Sequence, residues 1–338
     1  MINEFTIENL GPIESAKINQ LGNINLIIGE NSSGKSFLLK ALYSVHKSIE
    51  EFGKGDDIRK VNEIIADKLR WTFQADALGE LVNHTAGNTC SISLVDDHSS
   101  FSMRFGKKAT VAINDVNNDI GRLDYNSVFI PAREILSIQK IILRSRDIDK
   151  VFGFDDSQYD LAKALQLMPS VDDGDVLNSS KKQLQDMMNG TIELDANTNK
   201  WQYINNGIAF TIGTASEGIR KLGMLERLID NHYISSDSIV FIDEIEAGLH
   251  PSAIVKLIEV IDELVEKTNL QFFISSHSYF VIKKMNLLAM RQGKIDYIKC
   301  IMPNNKSFVL HDFRDGMPNN PIIEESVRLY EEEVDGVL

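Results

Sequence analysis

The segment Gly29-Glu30-Asn31-Ser32-Ser33-Gly34-Lys35-Ser36 follows the apolar run Ile24–Ile28 and precedes a helix-like stretch at residues 37–45. Glycines at both ends let successive backbone N–H groups turn toward the β- and γ-phosphates of a nucleoside triphosphate, and the following helix presents its positive end. Lys35 supplies a point charge to the phosphates and the Ser36 hydroxyl a ligand for Mg²⁺, so the expected binding residues are Gly29, Asn31, Ser32, Ser33, Gly34, Lys35 and Ser36. A second run, Ile239-Val240-Phe241-Ile242, leads directly into Asp243-Glu244. Asp243 is expected to hold Mg²⁺ together with Ser36, and Glu244 to orient and deprotonate an attacking water. A third apolar run ends in Ser275-Ser276-His277, and the order of strands brings His277 to the same sheet edge, within reach of the γ-phosphate or that water. The expected catalytic set is therefore Glu244, His277 and Lys35, and the chemistry metal-assisted phosphoryl transfer to water.

Residues 213–222 read Gly-Thr-Ala-Ser-Glu-Gly-Ile-Arg-Lys-Leu, a small-residue turn opening an amphipathic helix with Ser216 as N-cap. This is a second helix terminus able to bind an anion. One nucleotide cannot easily use both, and taken without the other motifs the segment reads as an ordinary capped helix.

The elements that must position these groups can be read from hydrophobic period and turn residues. Residues 5–28 alternate around Asn9-Leu10-Gly11-Pro12 as an antiparallel pair would, and a polar helical stretch spans 49–78. Short strands are expected at 91–95, 101–105 and 110–113, forming a small antiparallel sheet beside a parallel core. A core strand at 127–131 and a helical segment at 135–143 follow. Residues 155–188 are polar, with a turn at Asp172-Asp173-Gly174-Asp175 between two helices, and read as an insertion or lid. Strands at 191–194, 201–204 and 208–212 enclose the hairpin turn Asn206-Gly207. From Ser238 the pattern becomes strand, helix, strand, helix (239–243, 252–265, 270–275, 279–288, 295–301). That alternation implies an α/β fold with a mainly parallel sheet, its chemistry at the strand C-terminal ends.

Composition narrows the function. With 338 residues and 43% hydrophobic content the chain can bury a substantial core. No run of about 18 apolar residues occurs and residues 1–16 are polar and charged, so neither a membrane span nor a signal peptide is expected, and the location is expected to be cytoplasmic. Cys90 and Cys300 lack metal-ligand partners nearby and suit reduced, structural thiols. A net charge of -14 argues against a broad DNA-binding surface held by counterion release. A local basic segment, Arg133, Lys140, Arg144, Arg146 and Lys150, could touch nucleic acid, or could be a solvated helix face. The acidic end, with Glu324, Glu325, Glu331, Glu332, Glu333 and Asp335, reads as a solvated helix or a partner surface.

The ordered set resembles the ATP-binding-cassette class, with Ser216-Glu217-Gly218 as signature, Glu246-Ala247-Gly248-Leu249-His250-Pro251 as dimer-facing loop and His277 as switch histidine. Within it the chain looks like the OLD-type, RecF/SMC-like branch, specifically a stand-alone OLD-type ATPase without a Toprim domain. The residues that carry this are Asn9-Leu10-Gly11-Pro12-Ile13, Ile130-Pro131-Ala132-Arg133-Glu134, Leu249-His250-Pro251, Pro318-Asn319-Asn320-Pro321-Ile322-Ile323 and Arg328-Leu329-Tyr330. The resemblance implies one P-loop ABC-ATPase head over residues 1–338, with a mainly parallel core sheet, an antiparallel β subdomain at 91–113 and a helical insertion or lid at 134–190. It implies ATP and Mg²⁺ as cofactors and a head-to-tail homodimer, or a higher homo-oligomer. In that dimer Ser216 and Gly218 of one copy contact the γ-phosphate held by Lys35 of the other. The signature departs from the transporter form, Ile245 stands where proline is common, and a glutamine loop is unplaced, with Gln139, Arg133 and Glu134 competing for it. No long heptad arms and no Toprim-like pattern after His277 are visible, so a nuclease would be a separate chain. The implied activity is an ATP-hydrolysing regulatory dimer controlling a separate nuclease or toxin in prokaryotic antiphage defence. The alternative is a RecF/SMC-like DNA-repair ATPase that binds DNA directly. A transporter energy subunit with a membrane partner is disfavoured by the large insertion between Lys35 and Ser216.

Overall fold

The computed structural model describes residues 1–97, 99–169, 175–291, 293 and 296–337. The alternating N-terminal stretch forms the hairpin β1 (Glu4–Leu10) and β2 (Ile13–Ile18), and β3 (Ile24–Ile28) follows, buried at every position. Helices α1 (Lys35–Glu51) and α2 (Val61–Phe73) precede the strands β4 (Thr89–Val95), β5 (Ser100–Gly106), β6 (Asp115–Asn118) and β7 (Ser127–Ile130). Then come α3 (Gln139–Arg144), α4 (Asp156–Ala164), α5 (Asp175–Met188), β8 (Thr191–Asp195), β9 (Lys200–Asn205), β10 (Ile208–Thr211) and α6 (Glu217–Asp230). The alternating C-terminal half comprises β11 (Ile239–Ile242), α7 (Pro251–Lys267), β12 (Gln271–Ser276), α8 (Tyr279–Ala289), β13 (Ile298–Asn304), β14 (Ser307–His311) and α9 (Pro321–Val337).

A single sheet runs in the order β6-β5-β4-β1-β2-β14-β13-β3-β12-β11-β7. Its half from β13 to β7 is parallel throughout. The antiparallel strands do not lie beside this core. They continue it, because β4 bonds to β1 and β14 joins β2 to β13. β8, β9 and β10 form a separate antiparallel sheet, with Asn206 and Gly207 both at positive φ in the hairpin turn, as such turns require.

The parallel strands read as unbroken apolar runs because both faces are covered. Val240 and Ile242 of β11, with Phe272 and Ile274 of β12, pack into the cluster on one face, whereas Ile239, Phe241 and Phe273 enter the cluster on the other. On that second face Tyr43 of α1 meets Phe129 and Phe241 edge-on at 5.6 and 5.7 Å, and Phe241 stacks on Phe273 at 5.0 Å. Fully burying a side chain of this size contributes about 1.5–3 kcal/mol. The phosphate-loop helix is thereby fixed to the sheet well below the site it serves.

Several local expectations shift. The third strand of the antiparallel block lies at Asp115–Asn118 and not at 110–113, because Leu78 and Gly79 draw the carbonyls of Thr110 and Ala109 into their own backbone bonds. The helix expected at 135–143 covers only Gln139–Arg144, followed by one π-helical turn at Ser145–Asp149. The acidic end is the exposed helix α9. Apart from Asp175, the turn expected at 172–175 lies outside the described residues, as does Ile295, where a strand was expected to start. Among the described residues no helix is long and apolar enough to cross a membrane.

Candidate functional site

Three adjacent parallel strands, in the order β3-β12-β11, end at one edge of the sheet with Ile28 opposite Ser276 and Ile274 opposite Ile242. The chain leaves them as the loop 29–36, as His277 and as Asp243-Glu244. Sheet order, not sequence proximity, collects these groups around one cavity of about 440 Å³, lined by Pro12, residues 31–37, Glu244 and His277.

Gly34, at φ +91°, is the N-cap of α1, a conformation that suits glycine, and it aims the first amides of α1 toward the cavity. Lys35 is buried, and its Nζ donates to the carbonyls of Gly29 at 2.8 Å and Glu30 at 2.7 Å. Burial lowers its pKa, and the carboxylates of Glu244, Asp243 and Glu246 oppose that shift. The ammonium thus rests on its own loop, while the buried Ser33 hydroxyl lacks a partner. Both features fit a loop built to exchange these contacts for phosphate oxygens.

The Ser36 hydroxyl donates to Asp243 Oδ1 at 2.9 Å, and Ser275 Oγ donates to the same oxygen at 2.6 Å. Among the described residues no three His, Cys, Asp or Glu side chains gather as a protein-only metal cage. A hydroxyl and one carboxylate beside a phosphate site are the donor set Mg²⁺ favours, with waters and phosphates completing it. Glu244 has φ +45°, and its N–H donates to Ser275 Oγ at 2.8 Å. His277 Nδ1 lies 3.8 Å from Glu244 Oε1 and 3.3 Å from Glu246 Oε1, and the latter accepts the His277 backbone N–H at 2.7 Å. Neither His277 Nδ1 nor Glu246 Oε2 has a hydrogen-bond partner, and of the two residues His277 lines the cavity. A second cavity of about 380 Å³, lined in part by Asn83, His84, Thr85, Asn305 and Lys306, shares Pro12, Ser32 and Ser33 with the first.

The expected residues Gly29, Asn31, Ser32, Ser33, Gly34, Lys35, Ser36, Asp243, Glu244 and His277 therefore lie together. Ser216 and Gly218 stand apart from this cavity within one chain. Ser216 is exposed and caps α6, accepting from Ile219 N at 3.3 Å. Gly218 is buried against the turn after β11, where a Cβ would come within 2.5 Å of the Gly248 carbonyl. His250 serves locally as the cap of α7, its ring accepting from Ser252 N. Gln139 does not reach the nucleotide cavity: its buried amide donates to Ala162 O and accepts from the Trp201 indole, both at 2.6 Å. Arg146 stacks 3.5 Å above the Trp71 ring and pairs with Asp156 and Asp67.

Three residues were given no contact of their own in the motif reading: Ser275, which bridges Asp243 and the Glu244 amide, Glu246, which holds His277, and Lys221. Lys221 was detectable in principle, since Gly218, Lys221, Leu222 and Leu225 follow the spacing of a buried helical stripe on which a lysine is out of place.

A family model described as "AAA domain, putative AbiEii toxin, Type IV TA system" matches residues 24–283. In fold the chain is similar to an SmcHead bound to the C-winged helix domain of ScpA, at 12% identity, covering 94% of this chain and 99% of that one, with a TM-score of 0.53. It is similar also to an Smc head domain with an extended coiled coil, bound to the C-terminal domain of ScpA and derived from Pyrococcus furiosus. There the identity is 11%, the coverage 97% and 99%, and the TM-score 0.50. A further likeness, at 13% identity, 92% and 97% coverage and a TM-score of 0.48, is to the recombination mediator protein RecF with ATP. No protein of curated function matches the chain. At these identities the likeness is one of fold, that of an ABC-type ATPase head.

Proposed function

From a chain that belongs to the family described as AAA domain, putative AbiEii toxin, Type IV TA system, we propose an ATPase that binds ATP with Mg²⁺ and hydrolyses it to ADP and phosphate. The observation that carries this reading is the convergence of Lys35, Ser36, Asp243, Glu244 and His277 at the exits of three neighbouring strands. Lys35 exchanges its loop carbonyls for β- and γ-phosphate oxygens. Ser36 and Asp243 hold Mg²⁺, which when bound neutralises charge on the transferring phosphoryl group. Glu244 accepts the proton of the attacking water, and His277 donates to the γ-phosphate or orients that water. The nucleoside end lies toward the second cavity beside Pro12 and Ser33.

The exposed cap of α6 gives the second anion site its use. Two copies meet head to tail, and Ser216 and Gly218 of one close over the γ-phosphate gripped by Lys35 of the other. The γ-phosphate then favours the closed pair and hydrolysis releases it, so the enzyme acts as a switch. We further propose a regulatory role toward a separate toxin or nuclease in prokaryotic defence, in the cytoplasm; the wording of the family description supports a place in a toxin–antitoxin system. Direct DNA binding is the weaker reading, because the net charge is -14 and Arg146 is committed to Trp71, Asp67 and Asp156.

ATP turnover by wild type, Lys35→Ala and Glu244→Gln tests the assignment. Lys35→Ala is expected to lose nucleotide binding, and Glu244→Gln to bind ATP without hydrolysing it and to accumulate as a nucleotide-dependent dimer in light scattering. Unaltered turnover in either variant removes the assigned site, and a nucleotide-independent mass removes the dimer.

A further inference from the structure

Lys221 is buried in the second turn of α6, yet its ammonium reaches neither solvent nor a paired carboxylate oxygen. It donates instead to two backbone carbonyls, Asp243 at 3.4 Å and Glu244 at closer range. A neutral donor would satisfy a carbonyl at far smaller desolvation cost, so a charge at this position calls for a reason. Four carboxylates surround it, those of Glu246, Asp243, Glu244 and Glu217, while burial brings the ammonium pKa down to about 8.

The carbonyls it clasps belong to a turn that needs holding. Glu244 sits at φ +45°, a region a non-glycine residue occupies at a cost unless its surroundings fix it. Ser275 holds the turn from the sheet side through the Glu244 N–H, Ala247 N closes it onto the Glu244 carbonyl at 2.8 Å, and Lys221 grips the same carbonyl from the helix side. Three residues before Lys221 in the helical stripe, α6 touches the same loop again, where Gly218 packs against the Gly248 carbonyl with no room for a Cβ. Arg220 meanwhile pairs with Glu134 at 2.9 Å, just beyond the exit of β7. The first turns of α6 and the segment from Asp243 to Gly248 are therefore held together at two points, through Lys221 and through Gly218.

We propose that Lys221 is a positioning residue for hydrolysis: its buried ammonium fixes the Asp243–Glu244 turn and ties the setting of the Glu244 carboxylate to the position of the α6 N-terminus. This rests on the reading of Glu244 as the general base. A partner phosphate that seats on the exposed end of α6 then also sets the base in the same copy, which links the two nucleotide sites of a pair through one side chain.

The test is Lys221→Met, which keeps the stem and removes the charge, measured beside Lys221→Arg and Glu244→Gln. Lys221→Met should bind a fluorescent ATP analogue within about twofold of wild type while kcat falls about 100-fold, the scale of loss for a catalytic group misplaced by about 1 Å. Lys221→Arg, which retains donors for both carbonyls, should recover part of that loss. Wild-type kcat in Lys221→Met with Glu244→Gln inactive overturns the proposal and leaves the base intact. Wild-type kcat in Glu244→Gln overturns the reading of the base itself. An equal loss of nucleotide affinity and kcat in Lys221→Met assigns the lysine to folding alone and also overturns the proposal. Where Lys221→Met does not fold, Lys221→Gln, whose amide can replace only part of the clasp, takes its place: a kcat at least tenfold below wild type with nucleotide affinity kept supports the proposal, and wild-type kcat overturns it.

Discussion

Removing the hydroxyl of Ser275 is the most revealing single change, because one buried oxygen serves both the Asp243 carboxylate and the Glu244 backbone amide. Ser275 is wholly buried, donates to Asp243 Oδ1 at 2.6 Å and accepts the Glu244 N–H at 2.8 Å. In Ser275→Ala the Asp243 carboxylate keeps Ser36 but loses its shorter bond, a charge-assisted one contributing about 1.5–3 kcal/mol. The Glu244 N–H is left without a partner, at roughly 1–3 kcal/mol. The removed oxygen leaves too little space for a large cavity cost, so the destabilisation should be about 3 kcal/mol, a sizeable share of a domain stability of about 5–15 kcal/mol. The catalytic effect follows from the same two bonds. Released at its amide, Glu244 can relax from φ +45° toward a less strained conformation, carrying its carboxylate off station. Turnover should then fall about 100-fold, and the Mg²⁺ concentration for half-maximal rate should rise because Asp243 is less firmly oriented. Thermal melts with and without ATP, together with turnover over a Mg²⁺ series, read both effects. A variant that melts within a degree of wild type and turns over at the wild-type rate would refute the account of how this turn is held.

Two further outcomes follow from other parts of the molecule. Glu50 is buried and accepts from Lys47, Lys54 and both donors of Ser127; burial alone would raise its pKa, and the two ammonium groups outweigh that and hold it well below the ordinary value of 4.5. Because the folded value is the lower one, this contribution to stability is complete above about pH 4.5 and is lost as pH falls below it. Glu50→Gln should cost about 3–5 kcal/mol near neutral pH by stranding Lys47, and should flatten the acid limb of stability against pH; parallel limbs in the two proteins would contradict it. Gly218→Ala places a Cβ 2.5 Å from the Gly248 carbonyl and 3.0 Å from Leu249 Cδ2, so α6 or the loop must give way by up to about 1 Å. Its ATP affinity should hold while hydrolysis drops at least tenfold, and an unchanged rate would show that this close approach has no bearing on catalysis.

The sequence discloses chemistry where one short segment carries it. The loop from Gly29 to Ser36 and the Asp243-Glu244 pair announce themselves because a glycine spacing and an apolar run ending in acids are local patterns. The parallel half of the sheet is legible for a related reason: strands covered on both faces are apolar at nearly every position. What stayed hidden depends on partners far along the chain. The strand at Asp115–Asn118 moved because Leu78 and Gly79 claimed backbone groups of residues 109–110. Gln139 has a plausible position for a glutamine loop, and only the fold reveals that its amide is spent on Ala162 and Trp201. Lys221 and Ser275 are ordinary letters until α6 and β12 are brought against the turn after β11.

Ion pairs to α1 and α2 constrain how the segment following β7 can move. Lys40 of α1 pairs with Asp155 at 2.7 Å, and the Tyr43 hydroxyl donates to Asp160 at 2.7 Å. Lys68 of α2, itself buried, faces Glu51, Asp156 and Asp160, each at 2.9 Å. Parting α4 from α1 and α2 would take Asp156 and Asp160 from that ammonium and leave it only Glu51 of α1. Moving α1, α2 and α4 together leaves every one of these contacts intact. Since α1 begins at Lys35, a displacement of α4 that keeps these contacts carries the helix of the phosphate loop with it.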